Sequence, residues 1–168
     1  MPHHRAPTKP SLTDRPAHVL FFAAIPPPEI KAQMASAWHA FGTDDTFRHD
    51  TLHLSIYAVA GMDDLDPILV QRAQQMPNSL RTVPFTLCFD RLMRFSSRTD
   101  NAPLVMATDK ASNKLNEIAA DLHAACRAMS LTGSRSTKVS PHVTLAYGHG
   151  LSEARYLAKP IHWTIEEV

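Results

Sequence analysis

Leu52-His53-Leu54-Ser55-Ile56 and Pro141-His142-Val143-Thr144-Leu145 carry nearly the same phrase: a histidine, an apolar residue, a hydroxyl residue, an apolar residue. The copies lie about ninety residues apart. Successive side chains of an extended strand point to opposite faces. His53 and Ser55 therefore share one face, as do His142 and Thr144. Leu54, Ile56, Val143 and Leu145 point the other way, into a core. A single strand histidine is most often structural, but a doubled histidine-hydroxyl pair at one cleft supplies two proton-transfer groups and two hydroxyl donors. Imidazole titrates near pH 6.5, so one neutral and one protonated ring can serve as base and acid in one step. The hydroxyls can donate to the oxygens of a phosphate ester as negative charge builds on it.

Outward from these motifs the chain reads as alternating apolar strands and amphipathic helices. His18–Ile25 is a buried strand that stops at Pro26-Pro27-Pro28, and Glu29–Phe41 has helical spacing ended by Gly42. Thr51–Ala60 is predicted as the first motif strand. Asp63–Met76 is a helix whose Pro67 fits only its first turn, so it starts near Asp66. Val83–Phe95 and Pro103–Thr108 are strands. Ala111–Leu131 has the longest helical pattern and is followed by Gly133. Pro141–Tyr147 is the second motif strand, and Ile161–Val168 is a last one. The order is strand, helix, strand, helix, strand, strand, helix, strand, strand, with the motifs at related places in the two halves. This predicts an internal duplication: an α+β fold of two pseudo-symmetric lobes, each an antiparallel sheet with helices on its outer face, around a cleft. Residues 1–17 are predicted to be a flexible tail and 18–168 a single two-lobed domain.

Composition narrows the function classes. Hydrophobic residues make up 44% of the 168, enough for a core, and the net charge of +1 does not announce a nucleic-acid binder. Local charge is more informative. No acidic residue falls between Asp121 and Glu153, while Arg127, Arg135 and Lys138 do; Arg81, Arg91, Arg94 and Arg98 face only Asp90 in their own stretch. The two cysteines, Cys88 and Cys126, form neither a disulfide framework nor a zinc signature and fit a reducing cytosol. No stretch is long and apolar enough for a membrane span. His49 and His53 have helical metal-ligand spacing but Thr51–Ala60 reads as strand, and no His-Glu-x-x-His motif or cysteine pair occurs, so no metal is expected. Neither Ser55 nor Ser140 sits in a Gly-x-Ser-x-Gly elbow. Tyr57 lies on the His53 face by alternation, where it either stacks on a base or packs in the cleft wall.

The doubled His-x-(Ser/Thr)-apolar motif resembles that of the two-histidine (2H) phosphoesterases, and its surroundings resemble the bacterial RNA 2′,3′-cyclic phosphodiesterases, the LigT-like or 2′-5′ RNA ligase proteins. Phe21-Phe22-Ala23-Ala24-Ile25-Pro26 resembles their opening strand and proline turn, Phe85–Phe95 their apolar-aromatic segment, Ser140–Gly148 their second motif and Trp163 a late-strand tryptophan. The resemblance implies metal-independent opening of 2′,3′-cyclic phosphate at RNA ends to 2′-phosphomonoesters, without a cofactor. In it His53 is the proton donor, His142 the acceptor, and Ser55 and Thr144 the phosphate-binding hydroxyls. RNA ends or small cyclic nucleotides are the implied substrates, in the cytoplasm, with no membrane and no obligate protein partner. Three departures stand out. Ser55 replaces the family's usual Thr. Ser140 holds the place of an Arg, so Arg135 or Lys138 would supply the positive charge. The sequence stops soon after the tryptophan strand, which makes this either a short member or a truncated one with an exposed sheet edge. Two alternatives stay open: a binding module for RNA ends or nucleotides with little catalysis, and a 2H phosphodiesterase for another cyclic phosphate or a 2′,5′-linked substrate.

Overall fold

A computed structural model describes residues 16–42, 45–76, 83–96, 101–108, 110, 112–131 and 133–166. Most of the predicted tail, and also Arg81 and Arg98, lie outside these residues. Strands β1 (His18–Ala24), β2 (Leu54–Met62), β3 (Phe85–Arg94), β4 (Ala102–Ala107), β5 (His142–Gly148) and β6 (Arg155–Ile165) form one sheet in the order β1-β2-β5-β4-β3-β6. Every pairing is antiparallel. Helices α1 (Pro28–Ala40), α2 (Pro67–Gln75) and α3 (Asn113–Ala128) complete the α+β architecture.

Local chemistry explains the helix starts. Pro28 opens α1, where its missing N–H costs nothing, and Gly42 follows the helix at φ 62°. The Asp66 carboxylate caps α2 by accepting from the backbone N–H of Ile68 and Leu69, at 2.9 and 3.3 Å. Ser112 caps α3 through Leu115 N–H. Two strands differ from the sequence reading at their starts. His49–Thr51 is a turn of 3-10 helix instead of strand, so His53 stands just ahead of β2. β6 begins at Arg155, six residues early, because its first part is mostly exposed and carries no apolar alternation.

The motif strands β2 and β5 are central neighbours, but their pairing is brief, at Leu54 and Val143. Around them β1-α1-β2 and β4-α3-β5 are arranged as two related units, which is the predicted pair of lobes joined edge to edge. The helices cross over: α1 packs on β6, in the far half of the sheet, and α3 packs on β2. The core lies between sheet and helices. Trp38 of α1, Leu122 of α3, Leu54, Val143 and Trp163 are all buried in it, and Trp163 stacks with Phe89 at 6.3 Å. Among the described residues no helix is long and apolar enough to cross a membrane.

Candidate active site

The single Leu54–Val143 pairing sets the geometry of the motifs. His53 and Ser55 flank this pairing on one strand, and His142 and Thr144 flank it on the other. The two motifs are thereby brought side by side at the centre of the sheet. All four residues are half-buried, on the face opposite the helices, while Leu54 and Val143 are buried beneath them.

Both rings are held in the same way. His53 Nδ1 lies 2.8 Å from the carbonyl oxygen of Thr51, and His142 Nδ1 lies 2.8 Å from that of Ser140. A carbonyl oxygen only accepts, so Nδ1 carries the proton in each ring and Nε2 is left for chemistry. An aromatic ring rests against each imidazole: Phe21 against His53 at 5.0 Å between centroids, and Phe95 against His142 at 4.7 Å. The carbonyl fixes the tautomer and the phenyl ring limits rotation. The two histidines share the same pair of restraints, a carbonyl two residues back and a phenyl ring.

A second shared feature is a bulge. Ala23 pairs with Ser55 but Phe22 pairs with Tyr57, so Ile56 is an extra residue in β2. Val105 pairs with Thr144 but Leu104 pairs with Ala146, so Leu145 is extra in β5. In each motif the bulged residue is the fourth of the phrase. One extra residue reverses the facing of everything after it. Ile56 and Tyr57 are consecutively buried, as are Leu145 and Ala146, and the exposed position falls next, at Ala58 and Tyr147.

The bulge relocates two tyrosines. Tyr57, expected on the His53 face, is 2% exposed and its hydroxyl points toward the helix side. The hydroxyl donates to the Ser134 carbonyl at 2.7 Å and lies 2.9 Å from His123 Nδ1 on α3. Burial, with Cys126 nearby, raises the Tyr57 phenol above its ordinary pKa, and burial raises the Cys126 thiol as well. Tyr147, which strict alternation assigns to the core, is instead 46% exposed. It lines an open cleft of about 420 Å³ together with Phe21, Arg48, His53, Ser55, Tyr57 and Ala58, Tyr57 contributing to the wall while its hydroxyl is turned to the helix side.

Arg48 is the cation of this cleft, and the sequence reading did not single it out. Its guanidinium sits 5.0 Å from the centroid of Tyr147. Its backbone N–H donates to the Leu145 carbonyl at 2.8 Å, which ties the loop before the first motif to the second motif strand. The Asp45 carboxylate adds a tie by accepting from Gly150 N–H at 2.9 Å. Reciprocally, Ser134 N–H donates to the Ala58 carbonyl at 2.7 Å, so the loop before the second motif is tied to the first motif strand. Arg135 and Lys138 are exposed on that loop. Arg91 is instead buried in β3, with its guanidinium 5.9 Å from the Tyr156 ring. Among the described residues, no three or more His, Cys, Asp or Glu side chains group in a way that could hold a metal ion.

A family model described as the 2′-5′ RNA ligase superfamily matches residues 26–168. A search of curated proteins gave no match. Among solved structures, apo E. coli LigT superimposes with a TM-score of 0.63 at 20% identity, over 90% of this chain and 84% of LigT. LigT complexed with 3′-AMP gives 0.59 at 20% identity, over 86% and 81%. TT0787 of Thermus thermophilus gives 0.63 at 16% identity, over 89% and 85%. At these identities the superpositions show a common fold.

Proposed function

Because the chain belongs to the 2′-5′ RNA ligase superfamily, we propose that it is a phosphodiesterase that opens 2′,3′-cyclic phosphates at RNA ends, with His53 and His142 as its acid and base. The observation that carries this reading is the matched pair of Nδ1–carbonyl bonds at 2.8 Å, which leaves an Nε2 on each ring for proton transfer.

In the proposed reaction His142 Nε2 takes a proton from water as the water oxygen attacks phosphorus. The bond from phosphorus to the 3′-oxygen breaks, and His53 Nε2–H protonates that oxygen as it leaves. The product carries a 2′-phosphomonoester and a 3′-hydroxyl, and exchange with solvent returns both rings to their starting states. Ser55 and Thr144 donate to the non-bridging oxygens, where bonds strengthen as charge develops. Two side chains supply both proton transfers, so the scheme draws on no metal. The pseudo-symmetry of the site makes the acid and base assignment the finer part of the proposal. LigT, whose fold this chain shares, has been solved with 3′-AMP, and a nucleoside phosphate is the ligand class carried over here.

The test is hydrolysis of a nucleoside 2′,3′-cyclic phosphate in the presence of EDTA, with phosphorus NMR to identify the phosphomonoester. His53→Ala and His142→Ala are each expected to lower kcat by about 10²–10⁴-fold, the range for losing a general acid or base. Turnover that disappears with EDTA, or that both variants retain, refutes the reading. Nucleotide binding with no turnover in the unmutated protein would make the chain a binding module.

A further inference from the structure

We infer that Tyr147, backed by Arg48, is the platform on which the base of a nucleotide substrate stacks. The inference rests on the proposed nucleotide-phosphate chemistry but adds a recognition element outside the histidine-hydroxyl motifs.

Four observations carry it. The bulge at Leu145 turns Tyr147 out of the core and onto the face that holds His142 and Thr144. The ring lines the same cleft as His53 and Ser55. It is backed on one face by the Arg48 guanidinium at 5.0 Å and is still 46% exposed, so the other face is presented to the cleft. Tyr147 is three residues along β5 from Thr144, and a strand rise of about 3.3 Å per residue, shortened by the bulge, puts the ring about 7–10 Å from the phosphate hydroxyl. A sugar and its base span that interval.

The platform is built in advance of any ligand. Arg48 is held by its backbone bond to Leu145, and Asp45 fixes the start of the same loop on Gly150. A Cβ at Gly148 would collide with the Asp45 carboxylate, so glycine beside Tyr147 leaves the room in which that carboxylate sits. A tyrosine held between a guanidinium and open space gives base stacking without hydrogen-bond readout. Such a site takes any base, because every base has a π-face. The substrate class is therefore nucleoside phosphates of mixed sequence, not sugar phosphates or other base-free esters. Tyr57, at the corresponding point before the exposed position of β2, is committed to Ser134 and His123, and its strand presents Ala58 at the place of Tyr147. The stacking subsite is accordingly one-sided, although the acid-base pair beside it is symmetric, and this fixes which way round a nucleotide lies.

Calorimetric titration with adenosine 2′-phosphate and with inorganic phosphate tests this. In Tyr147→Ala, affinity for adenosine 2′-phosphate is expected to fall about 10–100-fold, the range for one base–aromatic stack, while affinity for inorganic phosphate stays unchanged. Tyr147→Phe is expected to keep both affinities. Tyr147→Leu, which keeps bulk without a π-face, serves if the alanine variant does not fold, and is expected to behave as alanine does. Equal loss for both ligands, no loss for either, or an unmutated protein that binds adenosine 2′-phosphate no better than phosphate overturns the inference. The readout needs no turnover. A chain that stacks adenosine 2′-phosphate on Tyr147 yet hydrolyses no cyclic phosphate fails the proposed reaction and keeps the platform.

Discussion

Replacing Tyr57 by Phe separates the two placements of this residue. The ring is 2% exposed and packed in the core, so phenylalanine keeps its volume and its contacts. What disappears is one hydroxyl. That hydroxyl donates to the Ser134 carbonyl at 2.7 Å, and His123 Nδ1, 3.1 Å from the same carbonyl, is the acceptor's other partner. The carbonyl therefore keeps one longer bond, and His123 loses its partner at 2.9 Å. Removing one member of a buried hydrogen-bonded set costs about 1–3 kcal/mol when the remaining group is left unsatisfied. The residual His123 contact puts the expected loss at the lower end, about 1–2 kcal/mol. For a chain of this size that is a fall in Tm of about 3–6 °C. Urea denaturation followed by circular dichroism measures it, alongside kcat/KM on a nucleoside 2′,3′-cyclic phosphate. The expected outcome is lower stability with kcat/KM within about twofold of the unmutated protein. A tenfold loss of kcat/KM with unchanged stability would put the Tyr57 hydroxyl in the cleft and refute the bulge-based assignment.

Two further outcomes follow from the same neighbourhood. Gly148→Ala brings a Cβ into the Asp45 carboxylate and is expected to cost about 1–3 kcal/mol, as overpacking does; adding Asp45→Ala should recover part of that loss in a double-mutant cycle, and strict additivity in urea denaturation would show that the two residues do not collide. Burial raises both the Tyr57 phenol and the Cys126 thiol in the folded chain, so their contribution to stability is intact below the unfolded values, about 8.5 for cysteine and about 10 for tyrosine, and is lost as pH climbs through them toward the folded values. Urea midpoints at pH 8 and pH 10.5 should therefore drop more in the unmutated chain than in the Tyr57→Phe, Cys126→Ala double variant; equal drops would mean that neither group is shifted by burial.

Strand alternation is enough to put His53 with Ser55 and His142 with Thr144 on one face, because a period of two holds over three residues. It fails one step later. Ile56 and Leu145 are bulged, and a bulge leaves no signature in an apolar run where every neighbour is also apolar or small. Alternation consequently turns the Tyr57 hydroxyl toward the cleft and sends Tyr147 to the core, whereas the Tyr57 hydroxyl is bonded on the helix side and Tyr147 is exposed in the cleft. Arg48 is hidden for a different reason. It belongs to a loop whose place depends on pairing with Leu145, and no local pattern reports a contact so distant in sequence. The sequence does draw attention to a missing positive charge before His142, and the cation found in the cleft comes from the loop before the other motif. The helices are visible as elements from their proline starts and apolar spacing, whereas their destinations are not, since an amphipathic stripe states that a face is covered without saying by which strand.

The crossing of the helices makes each half of the chain the lid of the other. Helix α1 is encoded beside β1 and β2 yet covers β6, and α3 is encoded beside β4 and β5 yet covers β2. Each half thus contributes one helix to the cover of strands from the other. The two lobes are interlocked, since the helix of each crosses to strands of the other half of one continuous sheet. The cleft between Phe21 and Tyr147 lies open on the face away from the helices. The fold closes over long separations in sequence. β2 waits for a helix about sixty residues further on, and such long-range closure is slow, so the histidine of the first motif reaches its working geometry only when nearly the whole chain is in place.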